Sequence, residues 1–419
     1  MRNYKLNSLH GTIGWLVASV FYAYHISVIS VITVLPDELM DLFQISITQY
    51  GMISVMYTIA YAAMQIPVGI LLDHCSIKKL ITTSIFVFSV GCLLLAFTTY
   101  YPLILIIRFA MGIAAAFSVL GGLRLAADWF SSDHFATLAG LTVSLGYFGG
   151  IIGNKIVFLL RSGITLSHIF FIAALFGFLL TIISFFFVDN FSKLDKEHNS
   201  VTHIINDIKK IVSHKQSIMI MVYAMLIFTP LIIFKDGLGV MFFKSYYQLD
   251  QITAASMMDI ILYASIVAAP ALGIISDRLG KRKPIITLTP IVQLSCFLAI
   301  LFRIDQYLFI NPTIIIGIIF AVFAFSTWGF LLSYSVFKET HDTHIVSTGL
   351  GLMNSLNMCG FIVLVPVITS LLDSIPYFYP GTSVADNYFY AFLVLPVIIL
   401  LALPTLKYLP ETNCKQLHD

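Results

Sequence analysis

Charge is what this sequence has least of. Only 11% of its 419 residues are Asp, Glu, Lys or Arg, against roughly 25% in a soluble globular chain. That excludes a protein that covers itself with a water-compatible surface. The five cysteines (Cys75, Cys92, Cys296, Cys359 and Cys414) are scattered with no C-x-x-C or other metal spacing, so they read as small apolar packers and no metal site is expected. No Walker A motif is present, which argues against ATP-driven pumping. No acidic or carbonyl-rich filter motif argues for a channel. Enzyme signatures and cofactor motifs are missing too. The first apolar segment lacks a small-residue cleavage site and is long, so it reads as a span rather than a signal peptide.

What the chain has is hydrophobicity: 59% apolar residues and a mean hydropathy of +0.94. Runs such as IIGIIFAVFAFSTWGFLLSYSVF, residues 315–337, carry no formal charge and are long enough to cross the hydrocarbon, which takes about 20 residues of helix. Twelve such spans are expected, at 12–35, 47–72, 79–99, 102–126, 135–160, 166–188, 217–241, 252–276, 284–303, 312–337, 344–372 and 385–407. The fold class is an all-α polytopic membrane protein with twelve transmembrane helices in two six-helix halves. The expected division is 1–188, a polar linker at 189–216, and 217–419. Within the linker, VTHIINDIKKIV has the pattern of a short amphipathic surface helix.

The cations set an orientation. With the N-terminus placed in the cytoplasm, 16 Lys and Arg fall on that side, three on the other (Arg161, Lys244, Arg303) and four within spans (Arg108, Arg124, Lys155, Lys235). Such a bias predicts that both termini and the linker are cytoplasmic. The halves also echo each other. Gly69 and Asp73 of VGILLDHCSIKKL align with Gly273 and Asp277 of LGIISDRLGKRKP, and FATLAGLTVSLGYFGG at 135–150 aligns with HIVSTGLGLMNSLNMCG at 344–360. A parallel repeat of two six-span halves is a transporter architecture, with substrate expected between the halves near mid-membrane.

The turn after the second span of each half resembles the loop signature of the major facilitator superfamily, roughly G-x-x-x-D-R-x-G-R-[RK]-[RK]. Gly273, Asp277, Arg278, Gly280, Lys281, Arg282 and Lys283 meet it closely; the first copy keeps Gly69, Asp73, Lys78 and Lys79 but departs at His74, Ser76 and Ile77. Arg108 and Gly112 in RFAMGIAAAF resemble the fourth-helix motif. The glycines at 140, 146, 149, 150 and 153 resemble the fifth-helix motif without its usual proline. LPDELMDLFQIS, YTIAYAAMQIPVGILLD and LRLAADWFSSDHFATLAGLTVSLG are similar to bacterial nutrient importers of the phagosomal amino-acid transporter type. His25 stands where that type has an acidic residue on its first helix. The resemblance implies a secondary transporter working by alternating access.

Physical chemistry nominates the working residues. An aspartate at a span end needs a cationic partner, so Gly69, Asp73, Lys78, Lys79, Gly273, Asp277, Arg278, Lys281 and Arg282 are candidate gate residues, with Asp128 and Glu339 as extra acidic partners. The competing reading is that these cations only set topology. Ionisable residues inside spans are functional candidates by default. Their excess of positive charge favours an anionic substrate, with Arg108, Lys155 and Lys235 as candidate contacts; the alternative is a structural Arg108 and a snorkelling Arg124. Asp259 is a candidate partner for Lys235 or Asp236. Rival candidate proton carriers are His25, Asp236 and Asp259. Tyr57, Tyr61 and Gln65 form an i, i+4, i+8 stripe that, with Tyr22, Trp328, Asn354 and Asn357, suits a cavity lining. Pro67, Pro230, Pro270 and Pro366 are candidate kinks.

The expected function is proton-driven uptake of a small amino-acid-like or carboxylate-bearing metabolite across a bacterial inner membrane. Alternatives are export of a larger organic anion, such as a carboxylate siderophore, or of a drug, and a non-transporting sensor, which the absence of an appended domain disfavours. The expected partners are the small-molecule substrate, protons and the lipid bilayer, with the chain a monomer and no nucleic acid bound.

Overall fold

The computed structural model describes residues 9–130, 132–156, 163–189, 208–307, 311–341 and 343–415. The side chains of Asp73 and His74, together with Arg161 and linker residues 190–207, lie outside the described residues. The described chain contains helices and no strand. Two compact units divide it, Met1–His198 and Asn199–Asp419.

The first unit holds six long helices: α1 (Leu9–Val34), α2 (Ile47–His74), α3 (Ile77–Phe97), α4 (Tyr101–Trp129), α5 (Ser132–Lys155) and α6 (Leu166–Phe187). A short helix, Pro36–Phe43, bridges α1 and α2. The second unit holds six more: α7 (Lys215–Tyr247), α8 (Gln251–Leu279), α9 (Lys283–Leu301), α10 (Pro312–Glu339), α11 (Thr343–Phe378) and α12 (Val384–Tyr408). Eleven of the twelve are long and apolar enough to cross a membrane on their described residues; α5, with polar residues at both ends, is the other. The twelve-helix, multi-pass reading of the sequence therefore holds.

With lipid rather than water outside, helices gain little from apolar burial against each other and associate through close packing. Glycine makes that approach available in the first unit. A Cβ at Gly149 would lie 2.1 Å from the Ala23 carbonyl oxygen, and one at Gly153 2.3 Å from that of Ser27. The α5 backbone thus rides directly on α1. Trp15 adds a hydrogen bond from Nε1 to Thr142 Oγ1 at 2.9 Å.

In the second unit the helices are interrupted where polar side chains cluster. Pro230 cannot donate the N–H that an unbroken helix needs, and four residues later α7 passes through a π turn at Phe234–Leu238. Phe234 is fully buried against the rings of Phe242, Phe297, Phe320 and Phe392. Gly239 closes the turn, since a Cβ there would sit 2.3 Å from the Phe234 carbonyl oxygen. Helix α10 tightens into a 3₁₀ turn at Trp328–Phe330, and Gly329 lets Thr289 approach.

Replacing Gly149 by valine should force α1 and α5 apart at a backbone contact, costing about 3 kcal/mol or more. A lower unfolding temperature of the purified chain is expected. Gly351→Ala, where nothing lies within 4 Å, should leave that temperature unchanged.

Candidate functional site

The turn joining α8 to α9 is built around one guanidinium. Helix α8 ends because Gly280 takes a left-handed conformation, φ +62°, and its N–H reaches back to Asp277. The chain then returns so that Lys281 donates its backbone N–H to the Ser276 carbonyl at 3.3 Å. This places Arg282, 9% exposed, among three acceptors. Its Nη2 donates to Glu339 Oε1 at 2.8 Å, and its Nη1 to Asp277 Oδ1 at 2.6 Å and Ser276 Oγ at 3.0 Å. The Glu339 side chain is 12% exposed but that of Asp277 is 65% exposed, so Glu339 is the buried counter-charge and Asp277 a rim contact. Burial alone would weaken the hold of Arg282 on its proton; the hydrogen bonds from Glu339 and Asp277 outweigh it and raise its pKa.

The segment after α12 closes over this turn. Glu411 accepts the backbone N–H of Arg282 and of Lys283, both at 2.9 Å, satisfying donors that open α9. Thr412 donates to Glu339 Oε2. Burial would push the Glu411 carboxyl up, but the backbone N–H groups of Arg282, Asn413, Lys283 and Thr412 hold it below the usual glutamate range. Arg278 and Lys281 are exposed.

The corresponding turn in the first unit is differently wired. Ser76 caps α3 by accepting the Lys79 N–H. Lys78 Nζ lies 3.4 Å from Asp189 Oδ1, and His10 Nε2 lies 3.0 Å from Asp189 Oδ2. Asp128 pairs with Arg124 at 3.0 Å, one turn apart on α4. Two expectations change here. Lys78 meets Asp189, which the sequence reading did not nominate, and Arg124 is ion-paired along its own helix, where i, i+4 spacing brings opposite charges together. Lys79 is exposed, and among the described residues nothing lies within 4 Å of a Cβ built at Gly69 or Gly273.

The stripe on α2 is assembled as the spacing predicts and gains members from α1 and α4. Tyr57 and Tyr61 stack at 6.1 Å, and Gln65 donates to the Tyr61 carbonyl at 3.4 Å. His25, 1% exposed, lies among the rings of Phe21, Tyr22, Tyr61 and Phe88. Arg108, also 1% exposed, holds its Cζ 4.5 Å over the Tyr57 ring and donates Nε to the Ile53 carbonyl at 3.2 Å. Gly112, one turn on from Arg108, makes that placement possible, because a Cβ there would lie 2.2 Å from the Tyr57 carbonyl oxygen. Among the described residues Arg108 Nη1 has no hydrogen-bond partner.

In the second unit, Lys235 and Asp236 sit on the π turn and pair with each other at 2.5 Å. Asp259 is 3% exposed on α8. Trp328 donates Nε1 to Ser265 Oγ at 2.8 Å, and Asn357 donates to Tyr334 Oη at 2.8 Å. Asn354 stands on α11 one turn before Asn357. Lys155, expected inside a span, stands exposed in the last turn of α5, where a cation suits the helix dipole.

The family model of the Major Facilitator Superfamily matches residues 15–364. The chain belongs to that superfamily, whose members are transporters. Among curated relatives, the probable galactarate/D-glucarate transporter GarP of Escherichia coli (strain K12) is 28% identical over 173 residues, 40% of this chain and 38% of that protein. The uncharacterized transporter YybO of Bacillus subtilis (strain 168) is 29% identical over 126 residues, 30% of this chain and 29% of that protein. These matches span well under half of the relatives' length. Among solved structures, the nucleoside transporter NupG gives a TM-score of 0.73 at 16% identity, covering 96% of this chain and all of that one. The D-xylose–proton symporter gives 0.72 at 16% identity, covering 97% and 99%. At such identities these structures share the fold alone with this superfamily member.

Sequence reading missed Ser276, Glu411, Thr412, Asp189, Ser265 and Tyr334. Glu411 and Thr412 were findable only through contacts between residues far apart in sequence. Glu339→Gln should leave Arg282 buried with only the exposed Asp277, lowering stability by about 3 kcal/mol, read as faster amide exchange across 276–283 and a lower unfolding temperature. Because the Glu411 carboxyl is depressed in the folded chain, its contribution is complete above the usual glutamate pKa and lost as pH falls through the folded value. Exchange of the Arg282 and Lys283 amides, corrected for intrinsic rate, should therefore speed up as pH falls below the usual glutamate range in the wild type but show no such step in Glu411→Gln.

Proposed function

We propose that this superfamily member is a proton-coupled secondary transporter that takes up a small carboxylate-bearing metabolite by alternating access. The observation that carries the reading is Arg108. Its guanidinium is buried to 1% exposure, stacked on Tyr57, with Nη1 lacking a hydrogen-bond partner. A buried guanidinium so placed is stabilised strongly by an arriving carboxylate, which accepts charge-assisted and often paired hydrogen bonds. Movement of the Tyr57 ring from its stack uncovers Nη1 for that contact. The names of the galactarate/D-glucarate relatives favour a sugar diacid over an amino acid as first substrate to test.

In this reading His25, Tyr22, Tyr61 and Gln65 line the approach to Arg108 within the first unit, and within the second unit Trp328, Asn354 and Asn357 remain candidate substrate contacts. Lys235 is neutralised by Asp236 until that carboxylate takes a proton, which makes Asp236 the favoured proton carrier over His25 and Asp259. The Arg282–Glu339 turn in the second unit and the Lys78–Asp189 contact in the first are, each in its own unit, the gate residues of this reading. The chain works as a monomer in a bacterial inner membrane with both termini in the cytoplasm.

Uptake by the purified chain in proteoliposomes, with and without an inward proton gradient, tests the proposal. Galactarate or D-glucarate should accumulate, more so with the gradient, and Arg108→Lys should lower uptake by about tenfold or more. Asp236→Asn should retain exchange of internal for external substrate but lose gradient-driven accumulation. Transport of neutral solutes only, or full activity in Arg108→Lys, overturns the carboxylate reading. Net extrusion of a larger anion overturns uptake.

A further inference from the structure

A cleft of about 620 Å³ lies on the second unit beside the α8–α9 turn, lined by Lys281, Lys283, Pro284, Leu288, Ile291 and Glu411 among others. Its polar end holds two ammonium groups that, among the described residues, make no hydrogen bond or ion pair. Its other wall is apolar and open. Pro284, Leu288 and Ile291 follow i, i+4, i+7 spacing and so share one face of α9. Leu288 is 56% exposed and Ile291 50% exposed.

The carboxylate in the cleft is already committed. Glu411 accepts from the backbone N–H of Arg282, Lys283 and Asn413, so both its oxygens and those opening N–H groups of α9 are in use. The lysine side chains are what remains to meet an anion. From Lys283 to Ile291 the helix runs about 12 Å, a wall long enough for a substantial stretch of acyl chain. A cationic mouth opening onto an apolar wall of a membrane helix has the chemistry to hold an anionic lipid, headgroup outward and chain along the helix.

We propose that this cleft is a binding site for a phospholipid with a net anionic phosphodiester headgroup. The phosphate lies between Lys281 and Lys283, and one acyl chain lies along Pro284, Leu288 and Ile291. Because those two lysines flank Arg282, the bound lipid braces the turn that Glu339 and Glu411 also hold. The site is separate from the Arg108 cluster and does not depend on the transported substrate.

Native mass spectrometry of the delipidated full-length chain, titrated with dioleoyl phosphatidylglycerol, dioleoyl phosphatidylcholine or inorganic phosphate, tests this. Phosphatidylglycerol should bind about tenfold more tightly than phosphatidylcholine, on the scale expected for two lysines at a lipid surface. Lys281→Ala/Lys283→Ala should abolish the preference, while Lys338→Ala/Lys407→Ala, which removes two exposed cations elsewhere, should keep it. Dihexanoyl phosphatidylglycerol should bind more weakly than the dioleoyl form. Equal affinity for the two dioleoyl lipids, or a preference that survives Lys281→Ala/Lys283→Ala, overturns the site. Displacement of phosphatidylglycerol by an equal concentration of inorganic phosphate, or no difference between short and long chains, reassigns it to a free anion and overturns the lipid proposal.

Discussion

Burying a positive charge in an apolar chain is costly unless a negative partner is buried with it, and the structure answers that constraint in two opposite ways. Arg282 is surrounded: Glu339, Asp277 and Ser276 take its donors, and a segment more than 120 residues later in the chain caps the same turn through Glu411. Arg108 is more deeply buried and meets a carbonyl oxygen and an aromatic face instead. A ring face offers a guanidinium roughly 0.5–2 kcal/mol, which does not replace a carboxylate. The first arginine has the environment of a fastener. The second keeps one guanidinium nitrogen for which no described residue supplies an acceptor.

Both environments depend on where the backbone can come close or break. Gly112 draws α2 onto α4 and so lays Tyr57 against Arg108. Gly149 and Gly153 seat α5 on α1, the helix that carries Tyr22 and His25. In the second unit Pro230 and Gly239 flank a π turn, a rare element that frequently marks functional positions in helices, and the Lys235–Asp236 pair sits on it. Without those small residues and that proline the same polar groups would be spread along regular helices.

The architecture was legible in the sequence because membrane spans are a question of length and charge. Runs of 20 apolar residues leave few alternatives in an all-helical chain, and the Gly-Asp-Arg turn is local enough to read directly. The α2 stripe was legible for the same reason: a spacing of four fixes Tyr57 over Tyr61. Partners across space were not. Nothing in the run LPETNCK announces that Glu411 caps α9, and Asp189 reads as the edge of a linker although it meets Lys78 and His10. Asp277 was given the central acidic role by motif position. Burial gives that role to Glu339, because a carboxylate that is 65% exposed is screened by water and contributes little.

The two units also differ in how they balance charge, and the difference bears on the proposed mechanism. The cation of the π turn carries its own counter-ion one residue away. Arg108 has no such partner at Nη1. A ligand shifts a conformational equilibrium only by its differential affinity for the two states, and an anion has most to offer where a desolvated cation is uncompensated in one state.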